Sequence, residues 1–237
     1  MKAIKKFLGF LILIIILSIV GVVVYGRTFY EKKISEEPLK TKISEIREGY
    51  KYVKKEYIPD YYFKAIVAVE DRRYYNHGPV DYIGIVRAIF RNLQAKDLQE
   101  GGSTITQQVA KNLYFESEKS VIKRKIAEVF VSIDLEKNYS KEEILELYVN
   151  IIYFGNGYYG IKDACKGYLN KEPKDLNLAE ATMMAGIPNA PSVYAPNVNK
   201  DLCKKRQKKV ISSMLDCDYI TKDEADRIDQ SFIDKIK

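Results

Sequence analysis

The chain has 237 residues, enough for one folded domain and a short accessory segment, with 39 Lys and Arg against 32 Asp and Glu, a formal net charge of +7. No nucleic-acid-binding motif accompanies that charge, so a membrane surface is favoured over DNA or RNA as the partner. Cys165, Cys203 and Cys217 lack metal-ligand spacing and cannot all pair within one chain, and they read as free packing thiols.

Phe7 to Tyr25 is apolar except for Gly9, Ser18 and Gly21 and holds no charge. About 20 such residues cross a bilayer core as a helix. A cleavable signal would have a shorter apolar run followed by small residues, and Val22-Val-Val-Tyr-Gly-Arg-Thr28 has no such site. Residues 1–26 are therefore expected to be a cytoplasmic tail and an uncleaved transmembrane anchor. Lys2, Lys5 and Lys6 before the span nearly balance Arg27, Lys32 and Lys33 after it, so charge alone does not orient it. The short N-terminal tail argues for the N-terminus inside and the domain outside. Residues 27–57 are charged with helical patches and are expected to connect the anchor to a domain over 58–237.

Within that domain helix signals dominate. Asp81 to Asn92 has apolar residues at helical spacing behind an aspartate, and Val121 to Lys137 reads as a second helix. Ser140-Lys-Glu-Glu143, Asn177-Leu-Ala-Glu180 and Thr221-Lys-Asp-Glu224 each spell a capping box. Alternating strand patterns are scarce, although Tyr153 to Tyr158 suits a small turn or hairpin. The expected fold is mostly α.

Two segments carry chemistry. Val69-Glu-Asp-Arg-Arg-Tyr-Tyr-Asn-His-Gly-Pro-Val-Asp81 sets two carboxylates against two guanidiniums and holds the chain's one histidine, His77. Glu100-Gly-Gly-Ser-Thr-Ile-Thr-Gln-Gln-Val-Ala-Lys-Asn-Leu113 opens a double glycine into hydroxyls, amides and a cation. A helix starting near Ser103 or Thr104 puts Gln107, Gln108 and Lys111 on one face beside free backbone N–H groups, a setting for an anionic, hydroxyl-rich ligand such as a sugar phosphate. A plain capped helix with a polar exposed side satisfies the same pattern.

Taken together, these segments resemble the first two motifs of the family-51 peptidoglycan glycosyltransferases. Arg124-Lys-Ile-Ala-Glu128, Ile144 to Gly155 and Ala185 to Pro196 resemble the third, fourth and fifth, in the family's order. The resemblance implies a lysozyme-like, two-lobed glycosyltransferase domain behind the transmembrane helix. It implies polymerisation of lipid II into β-1,4-linked glycan with inversion at the donor C1 and release of undecaprenyl pyrophosphate. Glu70 would be the base that takes the proton of the acceptor hydroxyl, and Glu128 the second acidic residue. Substrate binding would fall to Asp71, Arg73, Ser103, Thr104, Gln107, Gln108, Lys111, Lys119, Arg124, Lys125 and Asn150, the cations facing the leaving pyrophosphate. The resemblance leaves room for a divalent cation, Mg or Mn, with Glu128 or Glu70 as its ligand, and implies no organic cofactor. The implied partners are lipid II, the growing glycan, the membrane and other cell-wall synthesis proteins, with no nucleic acid.

The chain departs from the family pattern at several positions. Tyr74 stands where phenylalanine is usual, His77-Gly-Pro-Val-Asp81 moves the glycine and inserts a proline, and Asn189 replaces a glutamine. Lys119 stands where an arginine is expected, which keeps the charge but not a bidentate fork. Ser120-Val-Ile-Lys123 matches the Ser-x-x-Lys of penicillin-binding transpeptidases, but no Lys-Thr-Gly follows, and a monofunctional enzyme is expected. A lytic transglycosylase or muramidase would account for Glu70 but not for the amide and lysine face. A non-catalytic, membrane-tethered wall-binding module would need neither glutamate. Without the motifs, Glu128 at i+4 from Arg124 is an ordinary helix ion pair, Glu70 pairs with Arg72 or Arg73, and His77 is structural.

Overall fold

The structure, a computed structural model, describes residues 2–95 and 101–236. Glu100, which opens the second motif segment, lies outside the described residues. Among those described there is no strand, only an isolated antiparallel bridge between Tyr153 and Tyr159 at the expected turn.

The first helix, α1 (Lys2–Glu36), is a single rod of 35 residues, about 50 Å long at 1.5 Å per residue. Its N-terminal half is exposed apolar surface, long and apolar enough to cross a membrane. Beyond the apolar stretch the helix continues along the domain, with no break at residue 26. The next helix, α2 (Leu39–Glu48), buries Leu39 and Ile43.

The remaining helices pack in two groups around one continuous apolar core. In one, α3 (Asp60–Glu70) and α9 (Leu178–Gly186) pack on α11 (Lys200–Asp216). In the other, α5 (Ile105–Tyr114) packs on α6 (Val121–Asn138) and α7 (Lys141–Ile151), with α8 (Gly160–Leu169) against α7 and α1 along α6. Three short or peripheral helices complete the set: α4 (Tyr82–Ala95), α10 (Pro191–Tyr194) and α12 (Lys222–Asp226). Tyr62, Tyr74, Phe115, Tyr148 and Phe154 are fully buried at the centre.

Local sequence sets the helix starts. The three capping boxes form as spelled, with Ser140, Asn177 and Thr221 each accepting from the backbone N–H three residues on. Thr104 forms a fourth with Gln107, which fixes the start of α5. Each such cap contributes on the order of 1 kcal/mol. After α7 the chain reverses through Gly155, Asn156 and Gly157, all at positive φ. At Gly160, φ is +77° and a Cβ would lie 2.4 Å from the Asn150 carbonyl oxygen, so only glycine lets α8 start that close to the end of α7.

Cys165 and Cys203 are buried, Cys217 is half-buried and none is bonded to another. Burial pushes the Cys203 thiol up to about 12, which suits a packing role.

Candidate active site

Glu70 is the last residue of α3, whose apolar side (Tyr62, Ala65, Ile66) is fixed in the core. Asp71 ends the helix with φ −156° and turns inward. Its Oδ2 accepts from the Ile105 backbone N–H at 3.1 Å and its Oδ1 meets His77 Nε2 at 2.8 Å. This carboxylate ties the end of α3 to the start of α5, where free amide N–H groups favour an anion. Gln108, one turn along α5, then reaches Glu70, donating Nε2 to Oε2 at 3.0 Å. The amide orientation is set from behind, because the Tyr148 hydroxyl donates to Gln108 Oε1 at 3.4 Å. Burial holds the Tyr148 phenol well above its usual range, so it stays a donor.

The other Glu70 oxygen meets a residue that motif reading missed. Arg206 Nη2 lies 3.3 Å from Oε1, both side chains about nine-tenths buried. The guanidinium is itself held, its Nε donating to the Gly186 carbonyl at 3.2 Å and its plane 5.5 Å from the Tyr194 ring. Neither Arg72 nor Arg73 pairs with Glu70: Arg72 lies 3.9 Å from Asp216 and Arg73 is 3.3 Å from Asp81. A carboxylate has about four acceptor positions. Two are occupied here, which leaves room for a hydroxyl.

A cleft of about 300 Å³ opens beside Glu70. Among the described residues, Arg72, Arg87, Lys111, Arg124, Lys125, Arg206 and Lys209 line it, with Glu70 as the one carboxylate. A described lining so rich in cations favours an anionic ligand. Ser103, Gln107 and Gln108 supply hydroxyl and amide groups to the same wall. Lys111 has no ion-pair partner among the described residues and stands free to meet charge from a ligand.

Glu128 lies under the basic end and is fully buried. Its Oε2 accepts from Lys125 Nζ at 2.7 Å, and the same ammonium donates to Ser103 Oγ at 2.9 Å. Arg124 Nε is 3.3 Å from Oε1, close enough for charge attraction but not aligned as a hydrogen bond. The carboxylate therefore orients two cations toward the cleft rather than facing it.

The other expected site residues are placed elsewhere. Asn150 is used internally, accepting from the Val53 N–H at 2.7 Å and donating to the Val53 and Glu146 carbonyls. Thr104 caps α5 and donates to the Pro79 carbonyl, and Arg73 holds Asp81. Lys119 is exposed and does not line the cleft. His77 has both ring nitrogens on oxygen acceptors, Asp71 Oδ1 and the Gly78 carbonyl. Burial opposes its imidazolium, but these two bonds outweigh it and raise the His77 pKa.

Asp71, His77 and Asp81 lie within 4.8 Å of one another, a spacing that could hold a metal. The donors do not fit one: His77 points protons at both partners, and Arg73 already compensates Asp81. Glu128 is no better suited, being flanked by two cations, and Glu70 is charge-paired with Arg206 and has no second carboxylate beside it among the described lining residues.

Residues 37–215 match the sequence family described as Transglycosylase. Penicillin-binding protein 1F of Bacillus subtilis (strain 168) is 45% identical over 168 residues, 71% of this chain and 23% of that protein. Penicillin-binding protein 1A of Neisseria lactamica is 46% identical over 169 residues, 71% of this chain and 21% of that protein. The chain thus spans about a fifth of the length of the curated relatives it matches. A crystal structure of penicillin-binding protein 1A from Haemophilus influenzae aligns over 74% of this chain and 16% of that one, with 24% identity and a TM-score of 0.43.

Proposed function

The chain belongs to the transglycosylase family, and we propose on that premise that it polymerises lipid II into peptidoglycan glycan strands. The observation that carries this reading is the placement of Glu70 at the edge of a cleft whose other charges, among the described residues, are all cationic. The acceptor's 4-hydroxyl on N-acetylglucosamine attacks C1 of the donor's N-acetylmuramic acid. Its proton passes to Glu70 as the O4–C1 bond forms. The C1–O bond to phosphate breaks with its electron pair, and undecaprenyl pyrophosphate leaves with inversion at C1. Glu70 then returns the proton to solvent.

Gln108 and Arg206 aim the carboxylate, so the base is oriented before the sugar arrives. Lys111, Arg124 and Lys125 meet the charge that grows on the pyrophosphate, and Glu128 holds the latter two in place. Asp71 and Thr104 serve by building the wall, with Ser103 and Gln107 toward the sugars. No step is routed through a metal, because the donor sets above do not fit a protein-held ion.

We further infer that Phe7 to Tyr25 spans the membrane, with the N-terminus in the cytoplasm and the catalytic unit, 58–237, outside. On α4, Tyr82, Ile83, Val86, Phe90 and Leu93 stay exposed along one face, apolar surface of the kind that favours a lipid boundary.

Incubating the protein with lipid II in detergent tests the reading. The expected result is muramidase-sensitive polymer, with one undecaprenyl pyrophosphate released for each bond formed. Fragmentation of added peptidoglycan without polymer would transfer the site to a lytic enzyme. Inertness in both assays would favour a wall-binding module.

A further inference from the structure

Between the apolar span and the domain the chain has no free linker. Residues 26 to 37 lie against α6 and the C-terminal end of α5 through a row of specific contacts. Gly26 is buried, and a Cβ there would lie 2.4 Å from Ile126 Cγ2 and 2.6 Å from its Cβ. Phe29 packs on Phe115 with ring centroids 5.4 Å apart, and Lys123 Nζ sits 4.1 Å over the Phe29 ring. Tyr30 stacks on Phe130 at 5.5 Å and its hydroxyl donates to Asp134. The Tyr114 hydroxyl donates to the Glu37 carbonyl at 2.9 Å.

Two features of this seam bear on the cleft. Lys123, Ile126, Phe130 and Asp134 recur at three- and four-residue spacing and form one face of α6. Arg124, Lys125 and Glu128 fall at i, i+1 and i+4 on the opposite face. Thus α6 meets the anchor with one face and presents cations of the cleft from the other. The contacts also run in parallel, Gly26 to Ile126 and then Tyr30 to Phe130 and Asp134. The start of α6, with exposed Val121 and Ile122, therefore lies on the side from which the apolar span emerges.

We propose that Gly26 is a positioning residue, a notch that seats the anchor on Ile126 and makes anchor and catalytic unit one rigid body. The seam then sets the height and tilt of the basic end of the cleft relative to the bilayer that carries the pyrophosphate substrate. A flexible tether would only confine the enzyme to the plane of its substrate. A rigid one also orients it. This inference rests on the membrane-polymerase reading above, and its test has a readout that does not depend on activity.

Gly26→Leu drives a side chain into Ile126, and Ile126→Gly in the same chain removes both the Cγ2 and the Cβ that it meets. Both are made in the full chain, reconstituted in lipid vesicles, with and without Val121→Trp as a depth reporter. The chain has no native tryptophan, so brominated acyl chains quench that reporter alone. Polymerisation of vesicle-borne lipid II should fall on the order of tenfold to a hundredfold in Gly26→Leu, the scale of a misplaced reacting group. It should recover in the double variant, while a short-chain, detergent-dispersed substrate is used at wild-type rate by all three. Quenching at position 121 should change in Gly26→Leu and return in the double variant.

Wild-type activity of Gly26→Leu in vesicles, equal losses on both substrates, or failure of Ile126→Gly to restore the loss would each overturn the proposal. If the wild-type protein makes no polymer at all, the polymerase reading fails, and the quenching still decides the seam. Quenching indifferent to Gly26→Leu overturns the rigid docking.

Discussion

Glu128→Gln separates a structural from a functional carboxylate, because the two readings predict different magnitudes. On an exposed helix face, pairs at i+3 and i+4 contribute about 0.2–0.5 kcal/mol each. Here the Glu128 side chain is 0% exposed, while Arg124 and Lys125 remain 19% and 40% exposed. The amide keeps the shape but leaves two cations facing each other across a buried site. Breaking a buried pair costs about 3–5 kcal/mol. The partly exposed cations recover some hydration, so a loss of about 2 kcal/mol is expected. For a protein of this size that is about 4–8 °C in Tm. Lipid II affinity should hold, since the cations remain, and kcat should fall tenfold or more as they lose their orientation. Thermal melts, lipid II titration and initial rates on one preparation measure all three. A Tm loss of no more than about 2 °C with full turnover would make Glu128 an ordinary helix ion pair, for that is what an exposed pair gives.

Arg206→Ala should lower kcat more than it changes KM, because Glu70 loses one of its two orienting partners. Arg206→Lys should recover part of it, and an unchanged kcat in the alanine variant would remove Arg206 from the site. Lys111→Ala should weaken lipid II binding and flatten its salt dependence, as a cation facing pyrophosphate must; an unaltered salt slope would contradict that role. His77 has a raised pKa in the folded protein, so its imidazolium contributes fully below the unfolded value of about 6.5 and the contribution fades as pH rises through the folded one. The Tm gap between wild type and His77→Gln should therefore be widest in acid and narrow toward alkali, and the reverse trend would show that His77 is buried as the neutral ring.

Helix starts were legible because they are local. Ser140, Asn177 and Thr221 each meet a partner three residues away, and the sequence spells both members. The pairing of Glu70 with Arg206 was not, since 136 residues separate them and Arg206 sits in a run of lysines that reads as solvated surface. One signal was available: the basic run shares a helix with buried Cys203, Gln207 and Val210, so part of it has to face the interior. Burial of Glu128 was hidden for another reason. Its spacing to Arg124 is the same in an exposed pair, and only the packing of other helices, α5 among them, on α6 excludes the solvent. Residues 27–36 read as a charged connector because composition averages over faces, while Phe29, Tyr30 and Ile34 share the side that meets the core. Lys119 matched a motif position by count, yet the turn after α5 leaves it in solvent.

If Glu70 takes the proton of the attacking sugar hydroxyl, Glu70→Gln removes the base and little else. The amide keeps the size of the side chain and can still meet Gln108, but it cannot accept the proton. Polymerisation of lipid II by wild type and variant should be followed side by side, with lipid II binding measured on the same samples. The variant should be folded and binding-competent, with a rate lower by on the order of 10²–10⁴. Turnover near that of the wild type would contradict it.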